Sequence, residues 1–462
     1  WEASGHTSTF SDPMVDCLLT KKRFRADQVE PQSGTVFKFS GAKRTDTGAI
    51  FNKPFEVLSK KGDHPDRARK VARQYYGAIS GEANVALETF ELQGETTEQV
   101  ENSTRFNPEN GSLLTDPRPF NLMFKTHTGP IESEENIAYL RPETAQAIFV
   151  QFKNVLESSR HKVPFGICQI GKAFRNEINP RNYTFRSREF EQMELEFFIK
   201  PDEAAAKTPP TASNSEGTLA NWGWKQWHDY WVEERVRWYE SIGLPRTSLD
   251  YHRQKPEELA HYAKATVDIL YKFPFGTEEL EGIAARGNFD LSQHEKFSGK
   301  SMEYFDEETK ERFIPHVIEP SAGADRLILA LICEAFHEEE IADEKGKTEV
   351  RIVMKFHPRV APIKVGVFPL LKNKPELVKK ALEVRDLLRP HMNVFYDEAG
   401  AIGRRYRRQD EAGTPYGVTI DFDTLGEKPE LKETVTLRDR DTMKQDRVQI
   451  SELLPFLQSK IR

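Results

Sequence analysis

The chain is poor in cysteine and has neither a long apolar run nor a phosphate-binding glycine loop. Its three cysteines, Cys17, Cys168 and Cys333, lie far apart without Cys-x-x-Cys spacing. That excludes a disulfide framework and a zinc ribbon, and leaves each as a small buried or half-buried side chain in a reducing cytoplasm. No apolar stretch approaches the roughly 18–20 residues that would span a bilayer, so no membrane partner is expected. Neither a Walker Gly-x-x-x-x-Gly-Lys-Ser/Thr nor a Gly-x-Gly-x-x-Gly occurs, so a nucleotide would have to sit on a sheet-based site rather than in a P-loop. No internal repeat, Ser-His-Asp set or Cys-His set stands out. The residues from Trp1 onward lack an initiator Met and any basic-plus-apolar signal pattern, so the natural beginning is expected to lie before them. The net charge of −7 argues against blanket nucleic-acid binding, yet Ala361 to Arg462 carries 19 basic and 16 acidic residues, +3 against −10 elsewhere. A polyanion should therefore meet the C-terminal part or a local patch.

At 462 residues and about 150 residues per domain, two or three domains are expected. The stretch up to about Phe120 reads as a partly irregular, acidic accessory region. Phe120 to Pro130 reads as a strand ending in a Gly-Pro turn. Tyr139 to Phe152 turns into a helix with Pro142 near its start, Glu143 in its first turn, and Ile148, Phe149, Phe152 and Val155 at helical spacing. Pro201 to Gly217 reads as a linker rich in Ala, Pro, Ser and Thr, and Trp222 to Tyr239 as an aromatic helix covering a neighbour. Tyr271 to Arg286 should form short strands bringing Glu279 or Glu281 to an edge. Phe313 to Ile332 reads as strand, small-residue turn and helix, with Leu327, Ile328, Leu331 and Ile332 on the buried stripe. The body closes around Lys347 to Pro358. Beyond Ala361 a separate α/β domain is expected, with extended Lys364–Pro369, helical Pro375–Leu388, extended Met392–Tyr396, helical Arg404–Asp410, and extended Gly417–Asp421 and Glu433–Leu437.

Two segments carry chemistry. Phe174 to Phe198 forms an Arg-x-Glu strand, a basic polar loop and a second strand. Alternation puts Arg175 and Glu177 on one face of the first strand, and Phe190, Gln192 and Glu194 on one face of the second. A cation for phosphate, a ring for a base and a carboxylate for an amine can thus converge. A solvated amphipathic hairpin explains any one of these residues better than it explains the string. In the second segment, Ser321-Ala-Gly-Ala324 opens a helix whose N–H groups and positive dipole end suit an anion, and Arg326 adds a full charge. Arg175 and Arg326 make two guanidiniums for one polyphosphate, and Phe190 opposite an arginine plane can sandwich a purine. Glu143, Glu194 and Glu319 are costly beside the same site unless an ammonium group or Mg²⁺ meets them.

Phe174-Arg-Asn-Glu177 with Arg186-Ser-Arg-Glu-Phe190 resembles motif 2 of the class II aminoacyl-tRNA synthetases, and Gly323-Ala-Asp-Arg326 resembles their motif 3. Arg141-Pro-Glu-Thr-Ala-Gln146, Ser187-Arg-Glu-Phe-Glu-Gln-Met-Glu194, Glu319-Pro-Ser-Ala-Gly-Ala-Asp-Arg326, Ser4-Gly-His6 with Phe10, and Asp439-Arg-Asp441 look like the homodimeric glycyl-tRNA synthetases. The likeness is weak between about residues 28 and 115 and around 201 to 260. It implies an α+β fold. Residues 1–358 would form a catalytic domain on a mostly antiparallel sheet with insertions at about 28–115 and 201–260, and residues 361–462 an anticodon-binding α/β domain. It further implies a cytoplasmic homodimer that uses ATP and Mg²⁺ and attaches glycine to tRNA. The family's motif 1, which forms the dimer seam, is expected before Trp1.

The resemblance assigns catalysis to Arg175 and Arg326, with Arg175 on the ATP α-phosphate and Arg326 near the adenine and γ-phosphate. Glu177 falls near the adenine amino group and Phe190 under the ring. Asn176, Phe185, Arg186, Ser187, Arg188, Glu189, Leu280, Gly323, Ala324 and Asp325 complete the ATP site, with Glu279 beside ATP and its metal. Glycine falls to Glu143, Glu194, Glu319 and Ser321, with Arg25, Phe190, Glu191, Gln192, Met193, Pro320, Ala322 and Gly323 around it. Arg404, Arg405, Arg407 and Arg408 would meet tRNA, with Tyr406 stacking an unpaired base. Threonyl, prolyl and seryl synthetases share the scaffold; the glutamate-rich pocket and the lack of a zinc-ligand set favour glycine. A non-catalytic nucleic-acid-binding protein on this scaffold would be expected to lose these arginines and carboxylates, and they are all present.

Overall fold

Alternating side chains along Glu189–Ile199 bury one face of that strand, while His316–Gly323 and the second half of Gly276–Gly287 are buried at consecutive positions, as strands inside a covered sheet are. A computed structural model describes residues 1–82, 85–207, 221–342 and 348–461. The chain divides into two compact units, Trp1–Glu143 with Lys172–Phe190, and Thr144–Gly171 with Glu191–Arg462.

The first unit contains small antiparallel sheets. In one, Ser11–Asp16 lies between Arg23–Arg25 and Arg118–Asn121. In another, Gln32–Phe39 lies between Phe55–Lys60 and Thr96–Ser103. The helix Pro65–Ile79 starts at a His64 cap that accepts from the Asp66 N–H and has proline in its first turn, where no amide hydrogen bond is lost. Its Ala68, Val71, Ala72 and Tyr75 pack with Phe37, Phe39, Phe55 and Phe90, and the Phe55 and Tyr75 rings stack at 3.9 Å. The expected irregular accessory region is therefore a folded layer of helix on strands. Its polar composition hid a core built from a few aromatics.

The second unit is organised on a six-stranded sheet in the order Phe165–Phe174, Glu189–Ile199, His316–Gly323, Gly276–Gly287, Ala265–Phe273, Leu249–Arg253. The last four pairings are antiparallel. Helix Ala145–Ser159 lays Ile148, Phe149 and Phe152 against Phe165, Phe198, Leu291 and Val317. Helix Trp224–Ser241 buries Trp227, Val232, Val236 and Tyr239, so its aromatics serve packing. The expected short strands around Tyr271 are instead one long hairpin. A bulge at Leu280 shifts its register, with Ile269 opposite Glu281 and Leu270 opposite Glu279. Residues 208–217 of the expected linker lie outside the described residues; before them, Asp202–Ala205 is a helical turn.

After helix Ala324–Ala335 the hairpin Phe336–Ala342 and Thr348–Met354 leads to a five-stranded sheet. Its order is Val394–Tyr396, Val365–Pro369, Tyr416–Ile420, Thr434–Asp439, Gln445–Gln449. The first three are parallel and the rest antiparallel. Leu377, Ala381 and Val384 of helix Pro375–Leu388 and Leu453 and Leu457 of Ile450–Ile461 share a core with Val365, Val367 and Val418.

Candidate active site

In the first unit, strand Phe165–Phe174 ends one residue before Arg175. The Arg175 N–H donates to the Arg188 carbonyl at 2.9 Å, and its side-chain Nε donates to the Pro142 carbonyl at 3.0 Å. The guanidinium lies 5.5 Å from the Phe10 ring centroid and 5.3 Å from that of Phe190. Two rings and a carbonyl thus fix it, and among the described residues no carboxylate ion-pairs with it. Its remaining N–H groups and its full charge suit a phosphate oxygen.

Behind it, Asn176 donates its N–H to the Leu122 carbonyl at 2.8 Å, and Arg188 Nε donates to the Glu177 carbonyl at 3.1 Å. The Glu177 carboxylate lies 3.6 Å from Arg186 Nη1. Arg181 and Arg186 exchange backbone hydrogen bonds across the loop, whose turn uses positive φ at Asn182 and Tyr183. Phe185 is buried beneath it. Ser187 Oγ donates to the Glu189 carbonyl at 2.8 Å, and Glu189 pairs with Lys172. Arg25 spans two carboxylates, with Nε 2.8 Å from Asp27 and Nη1 2.9 Å from Asp12. Burial lifts the Asp12 carboxyl above its ordinary range, against the pull of Arg25.

Glu143 precedes Thr144, the N-cap of helix Ala145–Ser159, so it is not in the first turn as expected. Pro142, two residues before the N-cap, ends the extended approach. Buried Glu143 is held by His6, whose Nε2 is 3.3 Å from Oε1. The other imidazole nitrogen is 2.8 Å from Ser4 Oγ. Ser4-Gly-His6 entered the sequence reading only as family-like text; its chemistry is this hold on a carboxylate.

In the second unit, Glu194 is 3% exposed. Its Oε2 accepts the Thr144 N–H at 2.7 Å and the Thr144 hydroxyl, and its Oε1 accepts the Ser321 hydroxyl at 2.9 Å. The carboxylate therefore sits at a helix N-terminus and accepts from its N-cap residue. Gln192 Nε2 lies 3.4 Å from the same Ser321 hydroxyl. Glu319 accepts from Arg286 Nη1 at 2.7 Å, while Arg286 Nε and Nη2 donate to Asp290 at 2.8 and 2.9 Å. Arg286 also stacks on the Tyr262 ring at 3.9 Å. Pro320 and Ala322 are buried strand neighbours of Ser321, Met193 is half-buried, and the exposed Glu191 donates its N–H to Asp325 at 2.8 Å.

The strand His316–Gly323 runs directly into helix Ala324–Ala335, so the expected intervening turn is absent. Gly323 has ordinary extended backbone, and a Cβ there would meet only Arg326 Cβ at 3.5 Å. Its own fold therefore leaves room for a side chain. Arg326 donates to the Glu279 carbonyl at 2.7 Å, and its Nη1 is 3.8 Å from the Glu279 carboxylate. The bulge separates two carboxylates the sequence left as alternatives. The Glu279 side chain is 54% exposed, whereas Glu281 is buried under Arg235 and the Tyr239 hydroxyl. Leu280 is buried, so only its backbone can face a ligand. The helix also corrects the predicted stripe. Leu327 and Ala330 are buried, while Ile328 and Ile332 are exposed.

In the C-terminal domain, helix Ile402–Ala412 splits the arginine cluster. Arg405 is 1% exposed and donates to the carbonyls of Pro369 at 2.6 Å and Leu370 at 3.1 Å. It clamps a strand end and is not available to tRNA. Tyr406 packs edge-on against Phe368 and bonds Thr419 at 2.6 Å, which takes its ring out of base stacking. Arg404, Arg407 and Arg408 are exposed, with Arg407 2.8 Å from Glu349 and Arg408 paired with Asp397. Cys168 is exposed, unlike Cys17 and Cys333.

Sequence reading missed Arg286, Asp290 and Glu196. A lone arginine closing the apolar run Gly282-Ile-Ala-Ala, with an aspartate four residues on, was the available signal.

A sheet of this order, a helix that carries Arg326 and leaves the strand carrying Glu319, and a C-terminal α/β domain define a class II tRNA synthetase. Residues 124–335 match the tRNA synthetase class II core domain (G, H, P, S and T), and residues 364–460 match the anticodon binding domain. The chain is 44% identical over 490 residues to glycine–tRNA ligase of Rhodopirellula baltica, covering 100% of this chain and 84% of that protein. It is 45% identical over 480 residues to that of Thermus thermophilus, covering 99% and 85%, and 45% identical over 463 residues to that of Clostridium kluyveri, covering 100% and 84%. The chain belongs to the glycine–tRNA ligase family.

Proposed function

We propose that this protein activates glycine with ATP and transfers it to tRNA. The observation that carries the chemistry is Arg175, an arginine held between two rings that makes no carboxylate ion pair among the described residues. In the first step a glycine carboxylate oxygen bonds to the α-phosphorus, and the bond to pyrophosphate breaks with its electron pair on the leaving oxygen. The attacking carboxylate is already a nucleophile, so no protein base is needed; holding it in line while Arg175 and Arg326 take up developing charge suffices. Phe190 supports the adenine, and Glu177 accepts from its amino group. Glu143, Glu194 and Glu319 with Ser321 hold the glycine ammonium, beside Arg25. In the second step a terminal ribose hydroxyl of tRNA attacks the glycyl carbonyl and AMP leaves.

Among the described residues no group of three or more His, Cys, Asp or Glu is placed to hold a metal. Mg²⁺ keeps several waters and binds through few carboxylates plus phosphates, so it fits here as an ion arriving with the triphosphate beside Glu279. When bound it neutralises phosphate charge. Arg404, Arg407 and Arg408 are assigned to tRNA. A cytoplasmic homodimer is the setting that family likeness supports, and no helix of the described residues is long and apolar enough to cross a membrane. Glycine has no side chain to grip, so selection rests on ammonium recognition in a pocket too small for a methyl group. The non-catalytic reading is not favoured, since the arginines and carboxylates it should have lost remain.

ATP–pyrophosphate exchange tested across the common amino acids is expected to respond to glycine alone, and Arg175→Ala to lower it about a hundred- to a thousand-fold. Exchange with none of them would return the chain to the non-catalytic class.

A further inference from the structure

Glu196 follows Glu194 by two residues on the same strand, so both project from the same face of the sheet. It is 0% exposed, and among the described residues neither of its carboxyl oxygens has a hydrogen-bond partner. Its neighbours are charged from every side. Glu194 comes from its own strand, Glu319 from His316–Gly323, Arg286 from Gly276–Gly287 and Asp290 from helix Phe289–Ser298. Helix Ala145–Ser159 adds Gln146, which donates to Asp290 at 2.8 Å and lies 2.9 Å from His294. Arg286 donates to Glu319 and Asp290; among the described residues Glu196 receives no hydrogen bond.

A buried carboxylate without donors is far costlier than a buried carboxylic acid. We propose that Glu196 is the charge regulator of the amino-acid site, a carboxyl that is neutral while no ammonium is bound and gives up its proton when the glycine ammonium arrives. This rests on the assignment of glycine to Glu194 and Glu319. Burial pushes the Glu196 carboxyl well above its usual range, Glu319 and Glu194 push it further, and Arg286 and the incoming cation pull it down. The empty pocket thereby carries one buried negative charge fewer, and the occupied pocket meets the cation with one more.

The linkage has a definite sign. The glycine-bound state holds fewer protons than the free state. Affinity for glycine is then flat at acidic pH, rises as pH climbs from the bound-state to the free-state value of Glu196, and levels above it. Glu196 acts through Glu194 and Glu319 and is a positioning residue.

The test is the infrared difference spectrum between the protein with and without glycine. A protonated-carboxyl band should disappear when glycine is added, shift with isotopically labelled glutamate, and be missing in Glu196→Gln. In parallel, KM for glycine in pyrophosphate exchange should fall by up to about tenfold per pH unit in the wild type through the rising window, and stay flat in Glu196→Gln. Calorimetry of glycine binding in buffers of different ionisation enthalpy gives the released proton on the wild-type protein alone, whatever the variant's stability. Absence of a glycine-sensitive carboxyl band, its survival in Glu196→Gln, or zero proton release overturns the proposal. Loss of glycine-dependent exchange in the wild type would instead remove the functional reading beneath it.

Discussion

Arg286 shows how a single side chain can hold a site whose other members attract attention first. It is 2% exposed and donates to Asp290 through two nitrogens and to Glu319 through a third. Removing it leaves two carboxylates facing a buried space with their cation gone. Arg286→Ala is therefore expected to cost about 3–5 kcal/mol in urea unfolding, as breaking one side of a buried ion pair does. Arg286→Lys should recover only part, because an ammonium is a point charge and cannot serve both partners as a fork does. A loss below about 1 kcal/mol would mean that the carboxylates find other cations. Arg286 and Glu196 escaped sequence reading for one reason. Arg286 closes a short apolar run and Glu196 is one of several glutamates alternating along its strand, and only the packing of neighbouring strands shows that one supplies donors and the other lacks them. Glu194 and Arg326 lie on the strand and in the helix start that local alternation and the small-residue segment predicted, whereas Arg175 falls just past the end of its strand, so the expected alternation of Arg175 with Glu177 on one strand face does not hold.

At the scale of elements, helix Ile402–Ala412 is the clearest case of a motif that structure divides. One face packs on the sheet, so Arg405 satisfies strand-end carbonyls while Arg404 and Arg407, on either side of it, face water. Arg405→Ala leaves those carbonyls buried without donors and is expected to destabilise the protein by about 2–4 kcal/mol. Arg404→Ala with Arg407→Ala should leave the unfolding midpoint near wild type. The paired variant should lower tRNA charging and spare pyrophosphate exchange; equal loss of both activities would place these residues elsewhere in the cycle. Helix Pro375–Leu388 was readable to the residue, because proline starts it and leucines recur at helical spacing. Strand Gln445–Gln449 was not, having one apolar residue, and neither was Ile450–Ile461, whose internal Pro455 reads as a breaker. The exposed Ile328 and Ile332 show the limit of periodicity: an apolar helix with more than one apolar face does not announce which one is covered.

For the molecule as a whole, charge distribution separates the two half-reactions. The chain carries −7 overall, with +3 confined to Ala361 to Arg462, so a polyanion is met against a net negative body by a local patch rather than by a general field. Each phosphate neutralised by an arginine releases counterions, with a log–log salt slope of about −0.7 to −0.9 per contact. If Arg404, Arg407 and Arg408 each engage a phosphate, they account for about 2–3 of the slope in kcat/KM for tRNA. On the proposed assignment ATP and glycine would meet Arg175 and Arg326 at short range, where half-burial and fixed geometry limit screening. Raising salt should therefore depress tRNA charging steeply while pyrophosphate exchange changes little, and each arginine-to-alanine change in the patch should flatten the charging slope by about one. Parallel slopes for the two reactions would show that salt acts on the catalytic body itself, and would move the tRNA contacts out of helix Ile402–Ala412.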